Sequence, residues 1–228
     1  TVGCPHNRCT FCGAYRAPEQ KFQIKDDCSI NADIAFAARY CRRQKTVFLA
    51  DGDALIMPQK KLLRLCQQIR TELPWVRRIS FYANCRNILK RRAQERAEIK
   101  QVGVGRMYMG LESGCEQVLK AIRKGATAGE MIEAGQRVRQ AGIFLSVTCL
   151  LGIGGRQYSR QHAKDTATVL SAMRPRQIAV LTLMLLDNTE LGQAAATGSF
   201  RLPDHSLSRL VARLRIRRQG SGLCPHRP

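Results

Sequence analysis

From Thr46 onward the chain alternates between two hydrophobic patterns. Short apolar, β-branched runs at 46–50 (TVFLA), 78–83, 106–111, 143–151 and 178–186 predict strands. TVFLA is nearly continuous rather than alternating, which suits a buried strand of a parallel sheet. Between these runs the apolar residues recur at helical spacing. Pro58 suits the first turn of a helix that aligns Leu62, Leu65, Cys66 and Ile69 on one face. A charged helix is expected from about 88 to 101, ending before Gly103. Thr127 and Glu130 form a capping-box pattern for a helix carrying Met131, Gly135 and Val138, and Gly142 closes it. The last helix, 159–173, puts Ala163, Thr166, Val169 and Met173 on its core face and leaves His162 on its surface.

Strand-plus-helix units repeating in this way imply an α/β fold with a mostly parallel sheet and right-handed crossovers. The spacing fits a TIM-like partial (β/α)6 barrel or a doubly wound sheet, and the pattern does not separate the two. Only Thr1 and Val2 stand where the first barrel strand belongs, so the barrel is expected to be truncated at its N-terminal strand. The core is expected over 1–200. Residues 201–228, Arg-rich and without an acid after Asp204, read as a basic, disordered tail that includes His205.

Composition narrows the picture. No run approaches the length of a membrane span and no secretory leader opens the chain, which points to the cytoplasm. The formal charge is +21, from 38 Lys and Arg against 17 Asp and Glu. That excess makes RNA a candidate partner. Yet the basic residues come in scattered pairs (Arg42-Arg43, Lys60-Lys61, Arg77-Arg78, Arg91-Arg92) without interleaved aromatics, and Arg outnumbers Lys, as coding bias also produces. A solvated basic surface is the competing reading.

Ten cysteines complete the inventory. Cys28, Cys41, Cys66, Cys85, Cys115, Cys149 and Cys224 are dispersed, and each reads as a small buried hydrophobe. Cys4, Cys9 and Cys12 are crowded into one loop as C-x4-C-x2-C. Three thiolates can converge on one metal centre. A structural zinc site needs four ligands, which His6 or Cys28 would have to complete. A Cys9–Cys12 redox pair leaves Cys4 unexplained.

The segment GCPHNRCTFCGAYR resembles the cluster loop of the radical S-adenosylmethionine (SAM) superfamily, with Phe11 immediately before the last cysteine. The resemblance is nearest to Elp3/MiaB/NifB-like core domains and runs from Gly3 to about Phe200. It implies a [4Fe–4S] cluster on Cys4, Cys9 and Cys12, with a fourth iron that the amino and carboxylate groups of SAM chelate. One electron then divides the sulfonium into methionine and a 5′-deoxyadenosyl radical. The family usually has three residues between the first two cysteines, and this chain has four. Ala50-Asp51-Gly52-Asp53 stands in the place of the family's GGEP motif, so Gly52 and Asp53 are expected at the methionine ammonium. Gly110-Leu111-Glu112-Ser113-Gly114 resembles the family's GLESG, which implies a cofactor contact for Glu112. Ser146, Thr148 and Gly154, in the strand and turn SVTCLLGIGG, resemble the segment that packs along the adenine. Tyr82 and Asn84 close another strand and read equally as rim residues or as a packed ring and a helix cap.

The resemblance thus implies a radical SAM enzyme core with a one-electron donor of flavodoxin or ferredoxin type and an unidentified substrate, RNA among the candidates. It names no substrate-side acid, base or hydrogen donor. The alternative is a zinc-stapled basic RNA-binding module without catalysis.

Overall fold

A computed structural model of the chain describes residues 1–17 and 21–203. In chain order the elements are α1 (Asp27–Tyr40), β1 (Thr46–Leu49), a 3-10 turn (Ala54–Ile56), α2 (Gln59–Glu72), β2 (Arg78–Tyr82), α3 (Cys85–Lys90), α4 (Ala93–Gln101), β3 (Val104–Glu112), α5 (Glu116–Ala121), α6 (Ala128–Gln140), β4 (Phe144–Leu151), α7 (Gly155–Met173), β5 (Gln177–Thr182) and α8 (Glu190–Ala196). All five strands are parallel and lie in sequence order, β1-β2-β3-β4-β5. A doubly wound sheet reverses its strand order at a switch point. This sheet does not, so the partial-barrel reading holds.

Strand geometry sends alternate side chains to opposite faces. One set (Ile79 and Phe81, Met107 and Met109, Leu145 and Val147) is buried under the helices, where Leu62, Ile88, Ile99, Val138 and Met173 join it in one core. Each such side chain contributes about 1.5–3 kcal/mol by leaving water. The other face carries Phe48, Tyr82, Arg106, Tyr108 and Thr148, half-buried or exposed. A smaller apolar cluster of Cys115, Ile122, Leu150 and Ile153 sits near the C-terminal ends of β3 and β4, and Phe11 packs against it.

Several expectations need correction. The helix expected over 88–101 is two helices. Asn84 accepts the Asn87 N–H at 2.9 Å and starts α3 early, while Arg91 has extended backbone (ψ 131°) and ends it. The Glu95 carboxylate then accepts the Arg92 N–H at 2.8 Å where α4 begins. The helix expected over 159–173 is α7 and starts at Gly155, β5 ends at Thr182, and a further helix, α8, follows it. His162 is not on the surface: it is 3% exposed. Of the dispersed cysteines, Cys66, Cys85, Cys115 and Cys149 are buried, Cys41 is partly so, and Cys28 is exposed on α1; Cys224 lies outside the described residues. Val2 makes a single antiparallel bridge to Gln23 in place of a strand.

Residues 201–203 continue beyond Phe200 against α7, where Arg201 O accepts the Arg156 N–H at 2.8 Å. The rest of the expected tail, His205 included, lies outside the described residues. Among the described residues no helix is long and apolar enough to cross a membrane.

Candidate metal and cofactor centre

The cysteine loop is built across the C-terminal ends of the strands, the end at which parallel barrels bind ligands. Gly3, with φ +78°, turns the chain into it. Its N–H donates to Asp51 Oδ2 at 2.9 Å, and its carbonyl accepts the Gly52 N–H at 3.1 Å. Tyr15 O–H donates to Asp51 Oδ1 at 3.3 Å, and burial together with that carboxylate pushes its phenol up to about 12. Inside the loop, Arg16 reaches back, with Nε on Cys12 O at 2.9 Å and a terminal nitrogen on Cys9 O at 2.5 Å. Asn7, at φ +37°, donates from Nδ2 to Tyr15 O at 2.7 Å. On the far side, Thr10 N–H bonds Ile122 O, Leu191 N–H bonds Thr10 O, and His6 Nε2 bonds Arg123 O at 2.7 Å. The loop's conformation is thereby tied to β1, to the segment after α5, and to α8.

Cys4, Cys9 and Cys12 are all half-buried. Gly52 makes room for the first: a Cβ there would stand 2.7 Å from Cys4 Cβ and 3.1 Å from its sulfur. Burial pushes the Cys9 thiol up, and the neighbouring Cys12, Glu112 and Cys4 add to this while Lys124 opposes it. Lys124 Nζ donates to Glu112 Oε1 at 2.9 Å, with side chains 17% and 10% exposed. Burial draws the Lys124 ammonium down, but Glu112, Cys9 and Cys4 outweigh it and leave the group raised. Glu112 itself has φ +62°, and a Cβ on Gly110 would lie 2.1 Å from its Oε1. Gly110 is required for the carboxylate to fold back along the strand.

Asp53 faces the other way. It is fully buried, with Oδ1 accepting the Leu55 N–H at 3.0 Å and Oδ2 accepting Asn87 Nδ2 at 2.7 Å. Burial raises its carboxyl to about 6 against those hydrogen bonds. The acid turned toward the cysteine loop is Asp51, at φ +69°. Ser146, buried in β4, donates to Gln177 Oε1 at 3.4 Å, Thr148 is half-buried on the open face, and Gly154 precedes α7. A Cβ on Gly154 would meet His162 Cβ at 3.0 Å, so that turn is close-packed. His162 Nδ1 is hydrogen-bonded to Ser113 Oγ at 2.8 Å, and Thr166 Oγ1 accepts the Gly114 N–H at 2.8 Å. Together they staple the segment after Glu112 to α7. Burial lowers the His162 pKa, against Leu150 and Asp165, which act to raise it.

Sequence reasoning missed Asp51, Arg16 and Lys124. Arg16 and Asp51 sat inside quoted motifs, but a single residue carries no sign of which backbone group it will hold. Lys124 is 115 positions from Cys9 and only the fold joins them.

The donor set fits an iron–sulfur cubane. Three thiols on one ordered loop lie beside a buried ammonium that offsets thiolate charge. Among the described residues no three His, Cys, Asp or Glu side chains, the three cysteines included, are grouped closely enough to hold one metal ion, so the fit rests on the donor chemistry of the loop. Of the two groups expected to complete a zinc site, His6 is engaged by Arg123 O and Cys28 is exposed on α1.

A family model described as the Radical SAM superfamily matches residues 1–170. No curated protein matches the chain in sequence. Among solved structures, coproporphyrinogen III oxidase (HemN) from Escherichia coli, a radical SAM enzyme, superposes with a TM-score of 0.67 at 14% identity, over 93% of this chain and 49% of that one. Elp3 of Methanocaldococcus infernus gives 0.60 at 14% identity, over 81% of this chain and 48% of that one. The radical SAM methyltransferase TsrM of Kitasatospora setae, with cobalamin and a [4Fe–4S] cluster bound, gives 0.64 at 17% identity, over 89% and 40%. At these identities the likeness is one of fold, a partial TIM barrel, and the chain spans about half or less of each neighbour's length. Enzymes of this superfamily use a [4Fe–4S] cluster and SAM and take an electron from an external donor. With the family model matching most of its length, the chain belongs to the radical SAM superfamily.

Proposed function

We propose that the chain is the core of a radical SAM enzyme in which Cys4, Cys9 and Cys12 hold a [4Fe–4S] cluster and the strand ends around Gly52, Glu112, Thr148 and Gly154 receive SAM. The observation that carries this reading is the loop itself. Three half-buried thiols lie over the sheet's C-terminal end, between a glycine that admits Cys4 and a lysine paired with Glu112. Those three cysteines would hold the cluster, which when bound would supply the single electron for reductive cleavage of SAM.

The protein's part is preorganisation. Arg16 holds the Cys9 and Cys12 carbonyls, and Asp51 holds Gly3, so the backbone that carries the thiols is fixed by the chain's own hydrogen bonds. Lys124 supplies positive charge beside thiolates. Asp53, with both oxygens engaged, fixes the turn that presents Gly52 and its neighbouring carbonyls to the methionine ammonium. Phe11 shields the loop from water on the side of the small apolar cluster. Ser146 sets the lower part of β4, and Thr148 and Gly154 offer a polar group and bare backbone to the adenosine.

The net charge favours an acidic electron carrier of flavodoxin or ferredoxin type in the cytoplasm. RNA as substrate is the weaker reading. Arg91, Arg96 and Arg137 donate to the carbonyls of Leu55 and Met57, of Arg91, and of Leu89, so part of the charge serves helix ends.

The test is anaerobic reconstitution followed by iron and sulfide analysis. The parent is expected to hold about four of each per chain. Cys4→Ala, Cys9→Ala and Cys12→Ala should each lose them, and Cys66→Ala should not. Stoichiometric zinc with no iron would overturn the proposal.

A further inference from the structure

The helix-free face of the sheet carries three rings in mutual contact. Phe48 and Tyr82 have centroids 5.2 Å apart in an edge-to-face arrangement, and Tyr108 lies 5.7 Å from each. Phe48 is 43% exposed and Tyr82 47%. Arg106 lies one same-face step below Tyr108 on β3. Its guanidinium sits 4.1 Å from the Phe144 ring centroid and 5.6 Å from that of Tyr108, and it donates to Tyr108 Oη at 3.1 Å. Rings leave such a side open only at some cost in solvation, and contiguous exposed aromatics rimmed by polar groups mark ligand sites.

Charge decides what kind of ligand. Among the five strands only β3 contains an acid, Glu112, and Lys124 pairs it. No carboxylate among the described residues lies within ion-pair distance of Arg106, and its Nε is buried without a hydrogen-bond partner. A guanidinium set beside two rings, with one terminal nitrogen on Tyr108 Oη, keeps further N–H donors that suit a carboxylate or phosphate. Height along the strand orders the parts. Arg106 is lowest, the rings come next, then Gly110 without a side chain, then Glu112 at the rim about 13 Å above Tyr108.

We propose that Phe48, Tyr82, Tyr108 and Arg106 form a substrate-recognition floor that takes a planar aromatic acid, its anion on Arg106, its ring against the aromatic trio and its reacting end toward Glu112. The assignment of this ligand as substrate rests on the radical SAM reading of the rim above. The floor itself is a binding claim and can be tested apart from that reading.

The experiment is calorimetric titration of the reconstituted 228-residue protein with 2-naphthoate, its neutral isostere 2-naphthamide, the non-aromatic cyclohexanecarboxylate, and 2-naphthyl phosphate. Naphthoate should bind at least about tenfold more tightly than the amide and than the cyclohexane acid, a ratio worth about 1.4 kcal/mol. Comparing naphthoate with the phosphate tells which anion Arg106 prefers. Arg106→Gln should remove the acid-over-amide preference while leaving amide binding unchanged, and Tyr82→Leu should weaken all three naphthalenes but not the cyclohexane acid. Equal binding of naphthoate and naphthamide by the parent overturns the proposal without recourse to any variant. So does no binding of any aromatic acid in protein that releases 5′-deoxyadenosine. Arg106-dependent binding in protein that releases none would sustain the floor and defeat the radical SAM reading.

Discussion

Lys124→Met removes the cation beside the cysteine loop and leaves the Glu112 carboxylate where it was. That carboxylate has little freedom to escape. It lies along Gly110 on a residue with φ +62°, is stapled to α7 through Ser113 and His162, and has a side chain 10% exposed. Stranding one partner of a fully buried pair costs about 3–5 kcal/mol. The small residual exposure of both side chains puts this one at or just below that range, about 2–3 kcal/mol. Removing both charges together, as Glu112→Gln with Lys124→Met, should cost less than the lysine change alone, because no unpaired charge stays behind. Urea unfolding of the cluster-free chain at pH 7 reads both values, with the slope unchanged between variants. The sign with pH is fixed as well. Lys124 titrates higher in the folded chain than in the unfolded one, so its contribution is complete below about 10.4 and fades as pH rises through the folded value. A Lys124→Met cost under about 0.5 kcal/mol, or a double variant as costly as the two singles summed, would refute the reasoning.

Two glycine substitutions should move in opposite directions. Gly52→Ala drives a methyl into Cys4, whose backbone Cα would lie 2.8 Å away, so overpacking should cost about 1–3 kcal/mol and lower iron content after reconstitution. Gly129→Ala, with nothing nearer than Thr127 Oγ1 at 4.0 Å on α6, should raise stability by up to about 1 kcal/mol and leave iron unchanged. Asp53 supplies a pH signature. Its carboxyl is raised by burial to about 6, so the native state holds the proton longer and stability falls between about pH 4 and 6, by about 3 kcal/mol relative to Asp53→Asn; parallel pH profiles of parent and variant would show it wrong. Arg16→Gln frees the Cys9 and Cys12 carbonyls, and cluster assembly from added iron and sulfide should slow several-fold while the melting temperature changes little; equal assembly rates would remove Arg16 from the account.

The sequence carried the strand pattern and the thiol loop because both are local. Apolar runs at 46–50, 78–83 and 106–111 mark strands through side-chain period alone, and all three appear in the sheet. Barrel against doubly wound sheet was not legible, since strand order is a matter of which runs pair. His162 shows the limit of helical periodicity. It sits between core-facing positions of α7 and is buried because Ser113, from the end of another strand, reaches it with a hydroxyl. Asp51 and Asp53 differ in a way that no spacing encodes: a left-handed backbone at the first turns it to the cysteine loop, and a 3-10 turn after the second draws its carboxylate inward. Lys124 and the aromatic trio depend on parallel register between distant strands, as Tyr82 opposite Tyr108 illustrates.

The central claim is that this chain carries out reductive cleavage of SAM on a cluster held by Cys4, Cys9 and Cys12. The direct measurement is quantitation of 5′-deoxyadenosine and methionine by mass spectrometry, after anaerobic incubation of the reconstituted protein with SAM and a strong one-electron reductant. The account predicts equal amounts of the two products accumulating with time, none without reductant, and none from Cys9→Ala. Iron-replete protein that binds SAM yet releases neither product under reduction, or a Cys9→Ala variant that releases both at the parent rate, would contradict it.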